Sequence, residues 1–199
     1  MLRTVRDILY YRVRFGKLYP KASYPKIEPC CQFGCSKRII LGSNVSFLWG
    51  AVIIADATGR IEIGDNSTLC RYSILQSVGG VISIGTDSLV GDFCNLFGQG
   101  SLTIGNHVMI SSGVRIIPNQ HTFNDPSMPI NQQPCFSQGI VIKDGVWVGA
   151  NCCILDGVTV GTGAIIGAGS IVTKDVPDYA IAVGVPAKVI RMRPGFAQL

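Results

Sequence analysis

Two histidines, His107 and His121, stand in a chain of 199 residues with eight cysteines. An imidazole ordinarily titrates close to neutral pH, so either histidine could serve as a general base. His107 lies within Ile104-Gly105-Asn106-His107-Val108-Met109 and reads as a solvated or packing side chain. His121 ends Ile116-Ile117-Pro118-Asn119-Gln120-His121, where a regular repeat gives way. Its surroundings alone leave it between a plain loop histidine and a base. Cys30, Cys31 and Cys35 are close enough in sequence to hold a metal, yet no fourth ligand of suitable spacing stands near, so no metal is expected. Several of the eight cysteines fall at core-like positions of the repeat, which points to reduced thiols of a cytosolic protein rather than a disulfide scaffold. A thiol acting as a nucleophile would need an activating base beside it.

The elements that must position these groups are written in a period of six. Ile142, Val148, Ile154, Val160, Ile166 and Val172 stand six apart, and Val146, Cys152, Val158, Ala164, Ser170 and Val176, four further on, are all small or slim. Six is neither a helical period nor a plain strand, but it is divisible by two. Each hexad can therefore be a short extended segment with a corner that returns the same side chain inward. The pattern predicts a solenoid. It runs back less regularly through Ile104, Ile110 and Ile116, then Ile84, Val90 and Leu96, Ile63, Leu69 and Leu75, and Leu41, Phe47 and Ile53. The openings Leu41-Gly42, Ile63-Gly64, Ile84-Gly85 and Ile104-Gly105 lie 22, 21 and 20 residues apart, one turn each. From Ile104 to Ile142 the interval is 38 residues, so a loop of about 20 residues is extruded near 122–141. In so economical a coil a long loop points to function. The 24 glycines supply corners, where the backbone can need positive φ.

Charge divides the chain. Residues 1–26 carry Arg3, Arg6, Arg12, Arg14, Lys17, Lys21 and Lys26 against Asp7 alone, so the arm is +6 and the remainder of a +5 chain is −1. The coil shows neither a basic stripe nor a known nucleic-acid module, which argues against nucleic acid as a partner. Leu2, Val5, Ile8, Leu9 and Val13 fall on one side of a helix, with Arg3, Arg6 and Arg14 toward the other, so a short N-terminal helical segment is expected. It would cap the open first turn, and its charge excess also suits peripheral contact with an anionic membrane. Arg6, Asp7, Arg12 and Arg14 interrupt the early apolar run, so no signal peptide is expected, and the uncharged stretch 39–55 is short for a membrane span. Three parts result: a basic arm at 1–38, the coil with its loop at 39–178 and a C-terminal cap at 179–199.

The stretch Val160-Gly161-Thr162-Gly163-Ala164-Ile165-Ile166-Gly167-Ala168-Gly169-Ser170-Ile171-Val172-Thr173-Lys174-Asp175-Val176-Pro177, followed by Gly184-Val185-Pro186-Ala187-Lys188-Val189-Ile190-Arg191, resembles the hexapeptide-repeat acyltransferases. Within them the chain is most similar to the maltose, galactoside and polysaccharide O-acetyltransferase branch, over roughly residues 40–193. The resemblance implies an all-β fold, a left-handed parallel β-helix, assembled as a homotrimer with acetyl-CoA bound between neighbouring subunits and no metal required.

The position of His121 relative to Ile104-Gly105 and Trp147 matches the catalytic histidine of that family. It implies direct transfer and argues against a covalent acyl-enzyme on a thiol: neutral His121 takes the proton of a sugar hydroxyl, whose oxygen attacks the thioester carbonyl, and an N–H donor near the cleft or a side-chain amide steadies the oxyanion. Asn95 sits where relatives place a polar group toward the acceptor; otherwise it is a corner asparagine. Around Asp92 the coil differs in length from the maltose and galactoside enzymes, so their second acceptor-binding carboxylate has no counterpart here, which puts a free-sugar acceptor in doubt. Trp147 matches a tryptophan lining the cofactor cleft. Ala150, Ala168 and Thr173 match positions meeting the pantetheine arm, and Lys174, Lys188 and Arg191 match cations near the nucleotide phosphates. Each of the three cations could equally be solvated surface charge.

The resemblance therefore favours acetyl-CoA-dependent O-acetylation of a sugar hydroxyl in surface polysaccharide or glycan biosynthesis, by a cytoplasmic enzyme. N-acetylation of an amino sugar or a xenobiotic is the alternative, and a non-catalytic scaffold a further one. A zinc carbonic anhydrase of related fold would use three histidines, more than this chain has.

Overall fold

In a computed structural model that describes residues 25–196, short strands stack in parallel on three faces of a prism. Each turn of the chain visits face one, face two and face three in order, and the ladders join every turn to the next. The turn Leu89–Val90, Asn95–Phe97, Leu102–Ile104 is typical. Its residues pair in parallel with Thr68–Leu69, Ile74–Gln76 and Val81–Ile84 below, and with Met109–Ile110 and Arg115–Ile117 above. Face one ends in a hairpin, Ala180–Gly184 with Ala187–Met192, whose first strand extends the parallel ladder and whose second runs antiparallel to it. The chain is a parallel β-solenoid.

The hexad positions point inward. Ile142, Val148, Ile154, Val160, Ile166 and Val172 are at most 1 % exposed, and the slim set from Val146 to Val176 is buried beside them at the corners. A turn holds few apolar side chains, so it gains its core only when neighbours cover it. The ladders also reach further back than the aliphatic pattern does. Lys26–Ile27 pairs with Ser46–Phe47, and Gln32–Gly34 with Val52–Ile54, so residues 26–38, assigned above to the arm, form a first turn of the coil. There Phe33 packs edge-on against Phe47, ring centroids 5.1 Å apart. The expected helical segment at the N-terminus lies outside the described residues.

Glycine serves several corners through positive φ, as expected, with φ of 75°, 66° and 62° at Gly113, Gly145 and Gly163. Gly64 and Gly85, which follow the last inward residue of face three, are there for space. A Cβ on Gly64 would lie 2.7 Å from the Gly85 carbonyl carbon, and one on Gly85 would lie 2.6 Å from that of Gly105. Many left-handed corners are held instead by side chains. Asn44, Asn66, Asp87 and His107 have φ of 57°, 58°, 54° and 55°. They form a polar ladder in which Asn44 Nδ2 donates to Asn66 Oδ1 and Asn66 Nδ2 to Asp87 Oδ1, each at 3.1 Å. His107 Nδ1 stands 3.9 Å from Asp87 Oδ2, so this histidine is one rung of a corner.

Candidate active site

Between face two and face three of the fifth turn the chain leaves the coil. Arg115–Ile117 is followed by an antiparallel stem, Gln120–His121 against Cys135–Phe136, and the coil resumes with Ile140–Ile142. Below the loop the ladder closes undisturbed, Leu102, Thr103 and Ile104 pairing with Ile140, Val141 and Ile142. The excursion thus begins a few residues earlier than the expected 122–141, because Gln120 and His121 already belong to the stem. Inside the loop Gln133, 7 % exposed, holds the chain together. Its Nε2 donates to the carbonyls of Asp125 and Met128 at 2.8 and 2.9 Å, while its Oε1 accepts from Asp125 N–H at 3.3 Å. Asp125 in turn accepts from the N–H and hydroxyl of Ser127, which hold its carboxyl below the usual range. The returning strand is clasped by Asp156, whose carboxylate accepts from Gln138 N–H and Gly139 N–H.

His121 is exposed on this stem, directly opposite Cys135. Thr122 N–H donates to the Pro134 carbonyl at 2.9 Å, which makes His121 and Cys135 the non-hydrogen-bonded pair of the ladder, where facing side chains approach most closely. Cys135 Sγ lies 3.5 Å from His121 Nδ1 and 3.6 Å from Nε2. Thr173 and Lys174 follow Ile171–Val172 on face two and are exposed along the same edge as His121. They sit two turns further up, about 10 Å at ordinary strand spacing.

The other proposed cofactor residues occupy a different side. Trp147, Ile165, Ile181 and Arg191 share one row on face one, the face opposite the edge that carries His121. Trp147 is half exposed, and its Nε1 donates to Ser111 Oγ at 3.2 Å. Lys188, also exposed, pairs in register with Val183 on the terminal hairpin. Ala150 and Ala168 stack at the corner between faces one and two, where Gly169 N–H donates to the Ala150 carbonyl at 2.8 Å. Asn95 lies on face two, half-buried, with Ile74 below it and Arg115 above. Asp92 is engaged elsewhere: it accepts from Arg71 N–H at 2.8 Å at the corner before that strand. One chain therefore brings His121, Thr173 and Lys174 to one edge and Trp147 and Arg191 to the opposite face, and does not bring the two sets together.

Sequence reasoning passed over Cys135, Gln133 and Ser111. Cys135 becomes the neighbour of His121 only through the register of a hairpin whose strands are 14 residues apart. The remaining thiols are unpaired too. Cys94 and Cys152 are buried and donate to the carbonyls of Ser111 and Gly167, each at 3.1 Å. Burial pushes Cys94 up to about 11 and raises Cys152. Cys31 donates to the Leu48 carbonyl at 3.1 Å. No group of three or more His, Cys, Asp or Glu side chains that could hold a metal is formed among the described residues.

Set beside known proteins, residues 139–174 match the family described as bacterial transferase hexapeptide (six repeats). WbbJ of Escherichia coli strain K12, named for O-acetyl transfer in lipopolysaccharide biosynthesis, is 32 % identical over 141 residues, covering 67 % of this chain and 72 % of its own. The chain belongs to the hexapeptide-repeat acyltransferases. A second relative, Rv3034c of Mycobacterium tuberculosis, named as an acetyltransferase, is 29 % identical over 156 residues. The match covers 78 % of this chain but only half of that longer relative. Among solved structures, a variant of AntD, an N-acyltransferase from Bacillus cereus in complex with dTDP and coenzyme A, aligns with a TM-score of 0.61 at 26 % identity. That alignment covers 77 % of this hexapeptide-repeat chain and 83 % of AntD.

Proposed function

We propose that this acyltransferase moves the acetyl group of acetyl-CoA directly to a sugar hydroxyl of a surface polysaccharide or related glycan, with His121 as general base. The observation that carries the reading is the placement of His121: an exposed imidazole on the stem of the one long loop between stacked turns of the described coil, above an undisturbed ladder. A base must reach a mobile acceptor, and a rigid stem holds it at a fixed height along the prism. The naming of WbbJ for O-acetyl transfer supports the acceptor class, and coenzyme A bound to AntD supports the donor.

The split between the His121 edge and the Trp147 face suggests how the donor is held. A cleft forms when the edge of one copy, with Thr173 and Lys174, meets face one of another, with Trp147, Arg191 and the nearby Lys188. A closed ring of three would make three such clefts. Ala150 and Ala168, at an exposed corner, would then flank the pantetheine arm, and Asn95 would face the acceptor. The basic arm would bring the assembly to an anionic membrane at its cytoplasmic face. Removal of residues 1–24 should abolish co-sedimentation with anionic vesicles at low salt.

A second reading, acyl transfer to an amino sugar, is favoured by the N-acyltransferase activity named for AntD. Release of coenzyme A from acetyl-CoA, measured with free sugars, amino sugars, nucleotide sugars and lipid-linked oligosaccharides, separates the two. Turnover with hydroxyl acceptors is expected. Turnover confined to amino acceptors would replace the first reading with the second, and no binding of coenzyme A would overturn both.

A further inference from the structure

The nucleophile closest to the proposed base belongs to the protein itself. Cys135 Sγ sits within 3.6 Å of both ring nitrogens of His121, and both side chains are exposed. Near-equal distances place the sulfur toward the face of the ring, in line with neither nitrogen, so the ring must turn about its Cβ–Cγ bond to present one of them to the S–H. A thiol beside an imidazole is the arrangement that converts a weak nucleophile into a strong one. Thiols also surrender a proton to imidazole far more readily than sugar hydroxyls do.

The other thiols are placed differently. Cys94 and Cys152 are buried with their S–H groups committed to backbone carbonyls. Cys30 and Cys35 are exposed and Cys31, Cys70 and Cys153 half-buried, and none of these five is hydrogen-bonded to an imidazole among the described residues. Cys135 is therefore the thiol that combines access with a base, and it does so on the stem where a thioester is to be opened.

We propose that Cys135 accepts the acyl group of acyl-CoA when no acceptor occupies the site, so that the protein rests as an S-acyl enzyme. The inference rests on the reading of His121 as the base of a coenzyme A site. His121 takes the S–H proton, and the thiolate attacks the thioester carbonyl. The new carbon–sulfur bond to Cys135 forms as the bond to coenzyme A breaks, and His121 returns the proton to the departing thiolate. One thioester replaces another, so no oxidant or reductant is needed and the step is reversible. Added coenzyme A reclaims the acyl group, and direct transfer to an acceptor then proceeds from the acyl-CoA so restored.

The test uses the full chain incubated with acetyl-CoA and no acceptor, then digested and mapped by mass. Coenzyme A binding is measured in parallel by calorimetry. One acetyl group on the peptide bearing Cys135 is expected, labile to hydroxylamine and lost on adding coenzyme A. It should be absent in Cys135→Ser and formed at least about tenfold more slowly in His121→Ala and His121→Asn. A protein that binds coenzyme A and acetylates an acceptor, yet carries no acetyl group on Cys135, overturns the inference while the proposed function stands. Labelling of Cys30 and Cys35 to the same extent, or labelling undiminished without His121, overturns it as well. A protein that does not bind coenzyme A overturns both readings.

Discussion

His121 projects from a stem outside the packed coil, so its imidazole can be removed without leaving a hole in the core. His121→Ala should lower turnover by about 10² to 10⁴ with coenzyme A affinity nearly unchanged, and near-normal turnover in steady-state assays would end its role as base. The buried thiols make a different prediction. Burial raises Cys94 from the ordinary 9.0 to about 11, and Cys31, Cys70, Cys152 and Cys153 are raised for the same reason. Between those values the unfolded chain has released protons that the folded protein still holds, so rising pH favours unfolding. The thiol contribution should be constant below about pH 9 and be lost above it, and denaturation midpoints above pH 9 should fall less steeply in Cys94→Ala. At this scale the sequence is informative only where a residue type is scarce. His121 stood out as one of two histidines, at the point where the repeat fails. Cys135 is one of eight cysteines, and nothing in its local sequence announces the hairpin register that sets it against His121.

The extruded loop is held from inside by one amide. Gln133, buried under an otherwise mostly exposed loop, donates to two carbonyls and accepts from one N–H, tying together segments five and eight residues apart. Gln133→Ala should loosen the loop and displace the stem while leaving the ladders intact. Turnover is expected to fall by about tenfold to a hundredfold, and the thermal midpoint of the coil should hardly move, as a separate local unit allows. A fall in the midpoint with no change in turnover would show that the loop supports the coil and not the base. The hexads from Ile142 to Val172 were plain in the sequence because every turn there has the same length and the same inward side chains. The first turn was not. Ile27 and Phe33 also stand six apart and lie under Phe47 and Ile53, but Pro29, Cys30 and Cys31 between them hide the pattern. Positive φ at corner glycines was legible, yet the reason for Gly64 and Gly85 was not, since their close contact exists only after the turns are stacked.

With His121, Thr173 and Lys174 on one edge and Trp147 and Arg191 on the opposite face, the proposed site would need a second copy of the chain to complete it. Light scattering at assay concentrations should report a closed oligomer of three, and mixing His121→Ala with Trp147→Ala chains should restore part of the activity that each lacks. A monomer that stays fully active on dilution would mean that the two sets act separately. The way the loop leaves the coil also bears on the history of such molecules. Its two ends meet where Ile140 N–H already donates to the Ser101 carbonyl, so the scaffold below is indifferent to what is inserted. Doubling the length of a flexible insertion costs only about 0.6 kcal/mol in closure entropy. Descendants of one coil can therefore trade this segment for longer, shorter or unrelated ones while the ladder beneath it stays closed.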